Sequence, residues 1–501
     1  MEVNGVALEE ASIAQIQAAI FTGEKTVENL VQGFLNQIEA CDQTGPALNA
    51  VVTQSAEALS QARAMDRAFA QSGKPVGALH GIPVVIKDCL ETADMPTSFG
   101  SEIFANYMAE TDATVVRKLK QAGAIILAKT TLPDWATSWF AYSSRSGETK
   151  NPYALDRDPG GSSSGTGAAV AASYAPIGLG TDCGGSVRLP ASFCNLVGVR
   201  STPGVISRVG CNPLVGMQDT IGPMGRCVAD AARVFTVMAG FDPQDSLTAA
   251  YSISRAPGSY LDVLTPDAIR GTRIGVVRNA FGDDKDAHAK PVNEVVNQAL
   301  KELAAGGATL VDLEIPDLSG WLMNTSLYVL KSKHDIDQFL MARPNAPMKS
   351  VDAMVDSKRY HKKLDLLEAI ADGPSDPLSD LAYYRAYVAR EEFMRLVVNL
   401  MDKAQLSALV YPTAQVEPPT RADTDSGAWT TLTFPTNTLI GSQTWMPAMT
   451  VPAGLTRNGL PVGLEILARP YDEPTMFRVG YGFEQVRGHR VHPAPIPRVP
   501  G

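Results

Sequence analysis

The stretch that decides the fold runs from residue 160 to residue 190 and reads GGSSSGTGAAVAASYAPIGLGTDCGGSVRLP. Glycine allows backbone geometries closed to other residues, and the alanine run lets a helix pack very closely behind the glycine-rich loop. The stretch belongs to a segment from Lys129 to about Gly225 that is rich in Gly, Ser, Thr and Pro. Such residues provide little hydrophobic core, and long irregular segments in compact chains usually carry function. This segment is therefore predicted to contain the functional site.

The sequence on either side alternates between helical and strand patterns. Apolar residues at helical spacing form one stripe from Val27 to Ile38, and short, nearly all-apolar runs such as Ile82–Ile86 are typical of strands covered on both faces. Alternation of the two patterns predicts an α/β fold. The predicted helices cover 27–38, 56–70, 115–121 and 228–240, and the predicted strands cover 82–86, 124–128, 273–277, 408–412, 448–452 and 462–467.

The chain is predicted to form a single domain over residues 1–501. It shows no internal repeat and no linker long enough to separate domains. Residues 1–75 are expected to contribute N-terminal helices, and residues 76–240 the catalytic core region. Residues 318–403 are rich in Leu, Met, Tyr and charges, with a mostly helical pattern, and predict an insertion or cap over the core.

The composition is that of a soluble globular protein. Of the 501 residues, 45% are apolar and 19% are charged, and the net charge of −10 argues weakly against a nucleic-acid partner. The six cysteines form no C-x-x-C pair, which favours reduced thiols in a cytoplasmic protein and no metal site. Residues 1–5 lack signal-peptide features, and the most apolar stretch, 168–179, is too short for a membrane span of about 20 residues.

Lys87 is the first candidate catalytic residue. It directly follows the apolar run 82–86. An ammonium group at the end of a buried strand is poorly solvated, which lowers its pKa toward that of a useful base. The alternative is a structural lysine that reaches water or pairs with Asp88.

The loop at 160–167 admits three further interpretations. A flexible linker is disfavoured because a packed alanine helix follows at once. A phosphate-binding loop is disfavoured because the pattern G-x-x-x-x-G-K is absent. Residues 161–165 fit the G-x-S-x-G nucleophile elbow, but that elbow needs a strand before it, and residues 151–159 form a turn-rich loop instead.

The segment 180–188, GTDCGGSVR, places Ser186 after two glycines. A serine in this context can present its hydroxyl while successive backbone N–H groups converge on one point, as an oxyanion hole requires. A plain structural turn is the alternative.

Together the three segments resemble the amidase signature family. They occur in the family's order, and residues 160–190 match its defining region. Further agreement covers most of the chain, at LHGIP (79–83), GETKNP (147–152), DTIGPM (219–224) and GLPVG (459–463). The resemblance implies a single large mixed β-sheet core surrounded by α-helices, with a helical insertion in the C-terminal half.

The resemblance also implies a Ser–Ser–Lys triad. Carried over by motif, Ser186 is the nucleophile, Ser162 relays protons and has a cis peptide bond to Gly161, and Lys87 is the base. The implied oxyanion hole consists of backbone N–H groups of Cys183, Gly184, Gly185 and Ser186. Ser163, Asp182 and Arg188 are expected to support the triad. Two positions depart from the family pattern: Ser164 stands where glycine is usual, and Thr166 stands where serine is common.

The substrate pocket is implied by the resemblance alone. It should be lined by the loop after Lys129, by the helical insertion and by the C-terminal loop at 436–445. The residues expected in these segments are, in the same order, Leu132, Asp134 and Trp135; Trp321 and Tyr328; and Thr436 and Trp445. Because large apolar residues are more often core than pocket, both interpretations stay open for them.

The expected activity is hydrolysis of small to medium amides, anilides, carbamates or esters without a cofactor. The enzyme is expected to have no nucleic-acid or membrane partner, and a homodimer is left open. The alternatives are the glutaminase subunit of a tRNA-dependent amidotransferase and a non-catalytic binding protein.

Overall fold

A computed structural model describes residues 2–3, 6–254, 256–488 and 490–497. The prediction that no signal peptide is present falls mostly on residues 1, 4 and 5, outside the described residues. The strands are β1 (Glu2–Val3), β2 (Val6–Ala7), β3 (Val51–Gln54), β4 (Pro83–Lys87), β5 (Ile125–Thr130), β6 (Tyr142–Ser143), β7 (Gly147–Glu148), β8 (Ile177–Asp182), β9 (Val197–Arg200), β10 (Thr220–Gly225), β11 (Arg273–Val277), β12 (Thr309–Leu313), β13 (Ala408–Pro412), β14 (Ala448–Leu455) and β15 (Pro461–Leu467).

Helices surround these strands along the whole chain. They are α1 (Ile13–Thr22), α2 (Val27–Cys41), α3 (Ala58–Ser72), α4 (Thr114–Gln121), α5 (Ser164–Ala171), α6 (Arg188–Phe193), α7 (Val228–Met238), α8 (Lys290–Ala305), α9 (Leu318–Asn324), α10 (Tyr328–Met341), α11 (Val351–Asp356), α12 (Asp365–Ala371), α13 (Leu381–Lys403), α14 (Arg421–Asp425), α15 (Leu439–Gln443) and α16 (Glu473–Arg487). Among the described helices, none is both long and apolar enough to cross a membrane.

Eleven strands form one mixed sheet in the order β12-β11-β13-β15-β14-β9-β10-β8-β4-β5-β3. Strand β4 pairs parallel with β5 and β8, whereas β10 runs antiparallel to both β8 and β9. The predicted α/β fold with a large mixed sheet is confirmed. Because β4 and β8 are parallel neighbours, their carboxyl ends meet at one edge of the sheet, where Lys87 and Asp182 lie.

The prediction that residues 129–225 provide little core is wrong. Strands β8, β9 and β10 occupy the middle of the sheet, and every residue from 158 to 207 is buried. The reason is close packing: a Cβ atom added at Gly165 in α5 would lie 2.4 Å from the Thr131 amide nitrogen. Without side chains, these glycines bring a helix directly against the sheet, so small residues build the core here.

Helices are present in both residues 1–75 and residues 318–403, and three strands, β1 to β3, also lie in the N-terminal region. Helices α1 to α3 form the N-terminal region, but β3 also lies there and forms one edge of the large sheet. Residues 318–403 contain the five helices α9 to α13, as their pattern predicts. Helices α8 and α16, which pack near β14, were not predicted.

Candidate active site

Lys87 is fully buried at the end of β4. Its Nζ atom donates to Ser162 Oγ at 2.7 Å and to Thr181 Oγ1 at 2.8 Å. Burial lowers the pKa of this ammonium group, partly opposed by nearby cysteines and carboxylates. The side chain therefore does not reach water. This excludes the alternative of a structural lysine that extends to solvent.

Asp88, the next residue, does not pair with Lys87. Its carboxylate accepts hydrogen bonds from the backbone N–H (3.0 Å) and the hydroxyl of Ser98, and Lys129 Nζ lies 3.3 Å from Asp88 Oδ1. Lys129 is itself fully buried and donates to Thr97 Oγ1 at 2.7 Å. Asp88 is therefore paired with Lys129 and not with Lys87. Lys87 has no directly paired carboxylate among the described residues.

Ser162 lies between a glycine-rich turn and α5. The Gly161–Ser162 peptide bond is cis, which confirms the expectation from the resemblance. A Cβ atom at Gly161 would come within 2.8 Å of the Ser138 carbonyl oxygen, so only glycine fits this approach. The next residue, Ser163, donates its backbone N–H to the carbonyl oxygen of Ser186 at 3.1 Å and thereby joins the two serine loops.

Ser186 follows β8 in a tight loop and precedes α6. It is 5% exposed, and Gly185 beside it adopts a φ of +119°, a conformation that favours glycine. The Gly185 N–H donates to Asp182 Oδ1 at 2.8 Å. The structure therefore corrects the predicted role of Gly185 as an oxyanion donor: its N–H is already engaged, because the Asp182 carboxylate folds back under the loop. Cys183, Gly184 and Ser186 remain as candidate donors.

A buried ionic cluster holds the loop in place. Asp182 accepts from Arg188 Nε at 3.0 Å and from Arg200 Nη1 at 2.9 Å, and Arg188 also binds Glu465 and the Ser442 hydroxyl. All four charged side chains are fully buried. The two guanidinium groups keep the pKa of Asp182 well below its usual range, although burial opposes them. Asp182 and Arg188 thus connect the loop that carries Ser186 to β9 and β15.

Two side chains from the C-terminal half cover the nucleophile loop. A Cβ atom at Gly184 would lie 1.8 Å from the Tyr328 hydroxyl oxygen, so the α10 tyrosine rests directly on the loop. Thr438 Oγ1 donates to the Gly184 carbonyl oxygen at 2.6 Å and is 2.7 Å from Thr436 Oγ1. Of the predicted pocket residues, Tyr328 and Thr436 are therefore brought to the site.

Other predicted pocket residues belong to the core. Leu132 and Trp135 are 1% exposed, and Trp135 stacks on Phe99 with ring centroids 4.8 Å apart. Asp134 is fully buried and accepts from the Ser144 N–H at 2.7 Å, so it belongs to the core rather than to a pocket. The loop after β5 turns inward, with Trp135 in a left-handed conformation, because an aromatic cluster forms beneath it.

Trp321 and Trp445 are half-buried and lie in aromatic contacts of the helical cap. Trp321 stacks on Phe393 of α13, with centroids 5.5 Å apart. Trp445 lies 5.6 Å from the Tyr387 ring, also on α13. The Trp321 contact lies within the helical segment 318–403, whereas the Trp445 contact joins this segment to the chain before β14. No contact of either tryptophan with the nucleophile loop is seen within the described ranges.

Thr181 is the main site residue that the sequence analysis missed. Its hydroxyl accepts from Lys87 and lies 3.7 Å from Cys89 Sγ. It stands within the quoted segment 180–188, where the prediction rested on the glycines and Ser186. Parallel pairing of β4 with β8 could have indicated it, since both Lys87 and Thr181 lie near the ends of neighbouring strands.

Known proteins are similar in sequence to this chain over nearly its whole length. The family model Amidase matches residues 29–477. The glutamyl-tRNA(Gln) amidotransferase subunit from Oleidesulfovibrio alaskensis is 34% identical over 497 residues, which cover 95% of this chain and 96% of that protein. The match thus extends over nearly the whole of both proteins.

Solved structures give the same result. The native peptide amidase of Stenotrophomonas maltophilia has a TM-score of 0.84 at 35% identity, covering 97% of this chain and 98% of that one. The glutamyl-tRNA(Gln) amidotransferase subunit from Thermotoga maritima has a TM-score of 0.76 at 26% identity, covering 99% of both. The glycine-rich serine loops, the mixed sheet and both comparisons lead to one conclusion: this chain belongs to the amidase family and is an enzyme that acts on amide C–N bonds.

Proposed function

We propose that this protein hydrolyses an amide-type C–N bond through an acyl-enzyme on Ser186. The observation that carries the proposal is the 2.7 Å contact between Lys87 Nζ and Ser162 Oγ inside a fully buried site. A lysine can act as a base only when neutral, and burial without a paired carboxylate favours the neutral form.

The proton path follows the order of the side chains. Ser186 Oγ attacks the substrate carbonyl carbon while its proton passes to Ser162 Oγ, and the Ser162 proton passes to Lys87 Nζ. The negative charge on the substrate oxygen is stabilised by backbone N–H groups of the loop, for which Cys183, Gly184 and Ser186 are the available donors. The proton then returns through Ser162 to the leaving nitrogen as the C–N bond breaks, because an amide anion is a very poor leaving group.

Water completes the reaction by the same route. A water molecule loses a proton toward Ser162 and attacks the acyl carbon, and the Ser186 oxygen leaves with a proton. Carbamates, anilides and esters share this acyl-enzyme route, so we include small to medium members of these classes among the proposed substrates. The proposed enzyme works in the cytoplasm and uses no cofactor.

The test is a substrate panel of anilides, aliphatic amides, amino-acid amides, carbamates and esters, run with wild type and the three variants Ser186→Ala, Ser162→Ala and Lys87→Ala. Loss of a general base or nucleophile typically costs a factor of about a hundred or more in kcat. The matched control is Ser164→Ala, which should keep wild-type activity, because Ser164 is buried at the start of α5, two residues after Ser162, and its hydroxyl has no partner within the described part of the chain. Full activity of Ser186→Ala would disprove the nucleophile assignment.

A second candidate function is participation in a tRNA-dependent amidotransferase. It is favoured by the similarity to the Oleidesulfovibrio alaskensis amidotransferase protein, whose name includes a tRNA. Under that function, the predicted absence of a nucleic-acid partner would be wrong. Co-purification from cells separates the two candidates: a monomer or homodimer active alone supports the hydrolase, and a glutaminase that needs a different protein chain for activity supports the alternative.

A further inference from the structure

The helical segment 318–403 exposes an unusual share of large apolar side chains. Among the described residues, sixteen large apolar side chains are exposed, and eight of these belong to this segment, which is only about a sixth of the chain. Five of the eight lie close together in sequence, with exposed fractions of 39% to 61%: Leu378, Leu381, Tyr384, Tyr387 and Val388. Single exposed apolar side chains are ordinary, but a contiguous group usually marks an interaction site.

Helix α13 carries apolar residues on two opposite sides. The side that faces the rest of the protein is buried and consists, at helical spacing, of Tyr383, Ala386, Phe393, Val397 and Met401. The opposite side carries Leu381, Tyr384 and Val388 at positions i, i+3 and i+7, and these three residues are called the outer stripe below. A surface helix normally has polar residues on the side away from the core. The outer stripe is instead an apolar helix face open to solvent, with exposed fractions of 61%, 45% and 52%.

Charged side chains flank the outer stripe. Arg385 and Glu392 are exposed, and both lie on the same side of the stripe, because an α-helix turns by about 100° per residue. Neither has an ion-pair partner among the described residues, whereas Glu391 and Arg395 pair with each other at 3.2 Å. Helices that bind anionic membranes carry an excess of Lys and Arg on their polar face. The equal numbers of cations and anions around this stripe therefore favour a protein partner with complementary charges over a lipid surface.

We propose that the outer stripe is a homodimer interface, in which the α13 helices of two copies of this chain pack antiparallel about a two-fold axis at Val388. Such an axis reverses position along the helix and keeps the side on which a residue lies. Along the helix, Arg385 lies about 4.5 Å before Val388 and Glu392 about 6 Å after it. The rotation therefore brings Arg385 of one copy opposite Glu392 of the partner subunit, twice in each dimer.

The apolar and charged residues have separate effects in this interface. Burial of the outer stripe removes apolar area from water and stabilises the dimer. The ion pairs fix the direction of the helices, since a parallel pair would place each charge at the level of its own copy. One helix pair buries less than the roughly 1,600 Å² of a standard interface, so we expect a weak dimer that depends on protein concentration. The interface goes beyond the proposed activity, and its test needs no substrate.

Sedimentation velocity of the full chain at increasing concentrations is the first test. We expect wild type to pass from one chain to two, and Val388→Glu to stay monomeric, because the new carboxylate would face its own copy at the axis. Val76→Glu is the matched control and should dimerise like wild type, because Val76 has a similar exposed fraction, 48%, and lies outside the helical segment. Wild type that remains monomeric up to about 100 µM would overturn the interface. So would a Val388→Glu variant that dimerises like wild type.

A charge exchange tests the antiparallel direction. Arg385→Glu and Glu392→Arg should each weaken dimerisation about tenfold or more, because each puts two like-charge contacts into the dimer. The double variant should recover the wild-type dissociation constant. The two positions are about 10 Å apart along one helix, so this recovery has to come from contacts between chains. A double variant as weak as the single variants would refute the antiparallel arrangement.

Phosphatidylcholine vesicles separate a second copy from a lipid surface. We expect wild type to stay in the supernatant when the vesicles are sedimented. Co-sedimentation of wild type that is lost in Val388→Glu, with no dimer in solution, would assign the outer stripe to a lipid surface and overturn the homodimer.

Discussion

Thr181 connects two side chains of different chemistry at the centre of the site. Its hydroxyl oxygen accepts from Lys87 Nζ at 2.8 Å and lies 3.7 Å from Cys89 Sγ. A hydrogen bond accepted from an ammonium group stabilises the charged form of lysine. Thr181 therefore raises the Lys87 pKa relative to what burial alone would produce, and it fixes the direction of the amine.

The Thr181→Val variant tests this role through the pH profile of kcat/KM. Under the proposed mechanism, activity requires neutral Lys87, so the rate should rise with pH and level off above the lysine pKa. Removing the acceptor destabilises the charged form, so the rising limb should move to lower pH, with a fall of about tenfold in kcat from poorer positioning. Thr97→Val is the matched control, because Thr97 accepts from the other buried lysine, Lys129. An unmoved limb in Thr181→Val would contradict the assignment.

At the scale of one element, α5 joins the proposed relay serine to the sheet. The helix is buried along its length, and Gly165 closely approaches the segment that follows β5. Alanine normally favours a helix over glycine by about 1 kcal/mol. Here an added Cβ would lie 2.4 Å from the Thr131 nitrogen and the Ala50 carbonyl oxygen, which a backbone cannot easily avoid.

Gly165→Ala is therefore expected to destabilise the fold by roughly 2 kcal/mol or more, despite the better helix propensity. Gly167→Ala, on the same helix, would meet its neighbours only at 3.1 Å and beyond, and should cost much less. Urea unfolding of the two variants beside wild type measures both values. Equal stability of the two variants would show that the α5 contact is looser than described.

At the scale of the whole molecule, buried carboxyl groups couple the fold to pH. Burial raises the pKa of Asp134 to about 7. Between the ordinary aspartate pKa and this value, the folded protein keeps a proton that the unfolded chain has released. The stabilisation is thus complete below about pH 4 and is lost as pH rises through about 7.

Urea unfolding at pH 5 and pH 8 checks this coupling. The loss of unfolding free energy between the two pH values should be smaller in Asp134→Asn than in wild type, by roughly 1 to 3 kcal/mol. Asparagine can still accept from the Ser144 N–H, so the contact is retained. Asp267→Asn serves as a control, because Asp267 is exposed in a surface ion pair with Arg270. The same pH dependence in Asp134→Asn and wild type would rule out this coupling.

Sequence patterns predicted the α/β fold, because the periodicities of strands and helices are local features. The meeting of Lys87 with Ser162 was implied by the resemblance to the amidase signature family, not by these patterns. They did not predict that Asp134 and Trp135 turn into the core, since that depends on Phe99 and Phe104, which are distant in sequence and supply the aromatic cluster. The engaged N–H of Gly185 was also missed, because it depends on how the Asp182 carboxylate folds back between two arginines. Long-range packing of this kind leaves no periodic trace in the chain.

The position of Tyr328 and Thr438 has an evolutionary consequence. The lysine and both serines lie within residues 87–186, whereas the two side chains that rest on the nucleophile loop belong to α10 and to the segment before α15. Under the proposed mechanism, mutations that reshape the C-terminal half can therefore change which molecules are accepted while the reacting groups stay untouched. A lineage built on this plan can diversify its substrates by drift in one half of the gene and conserve its chemistry in the other.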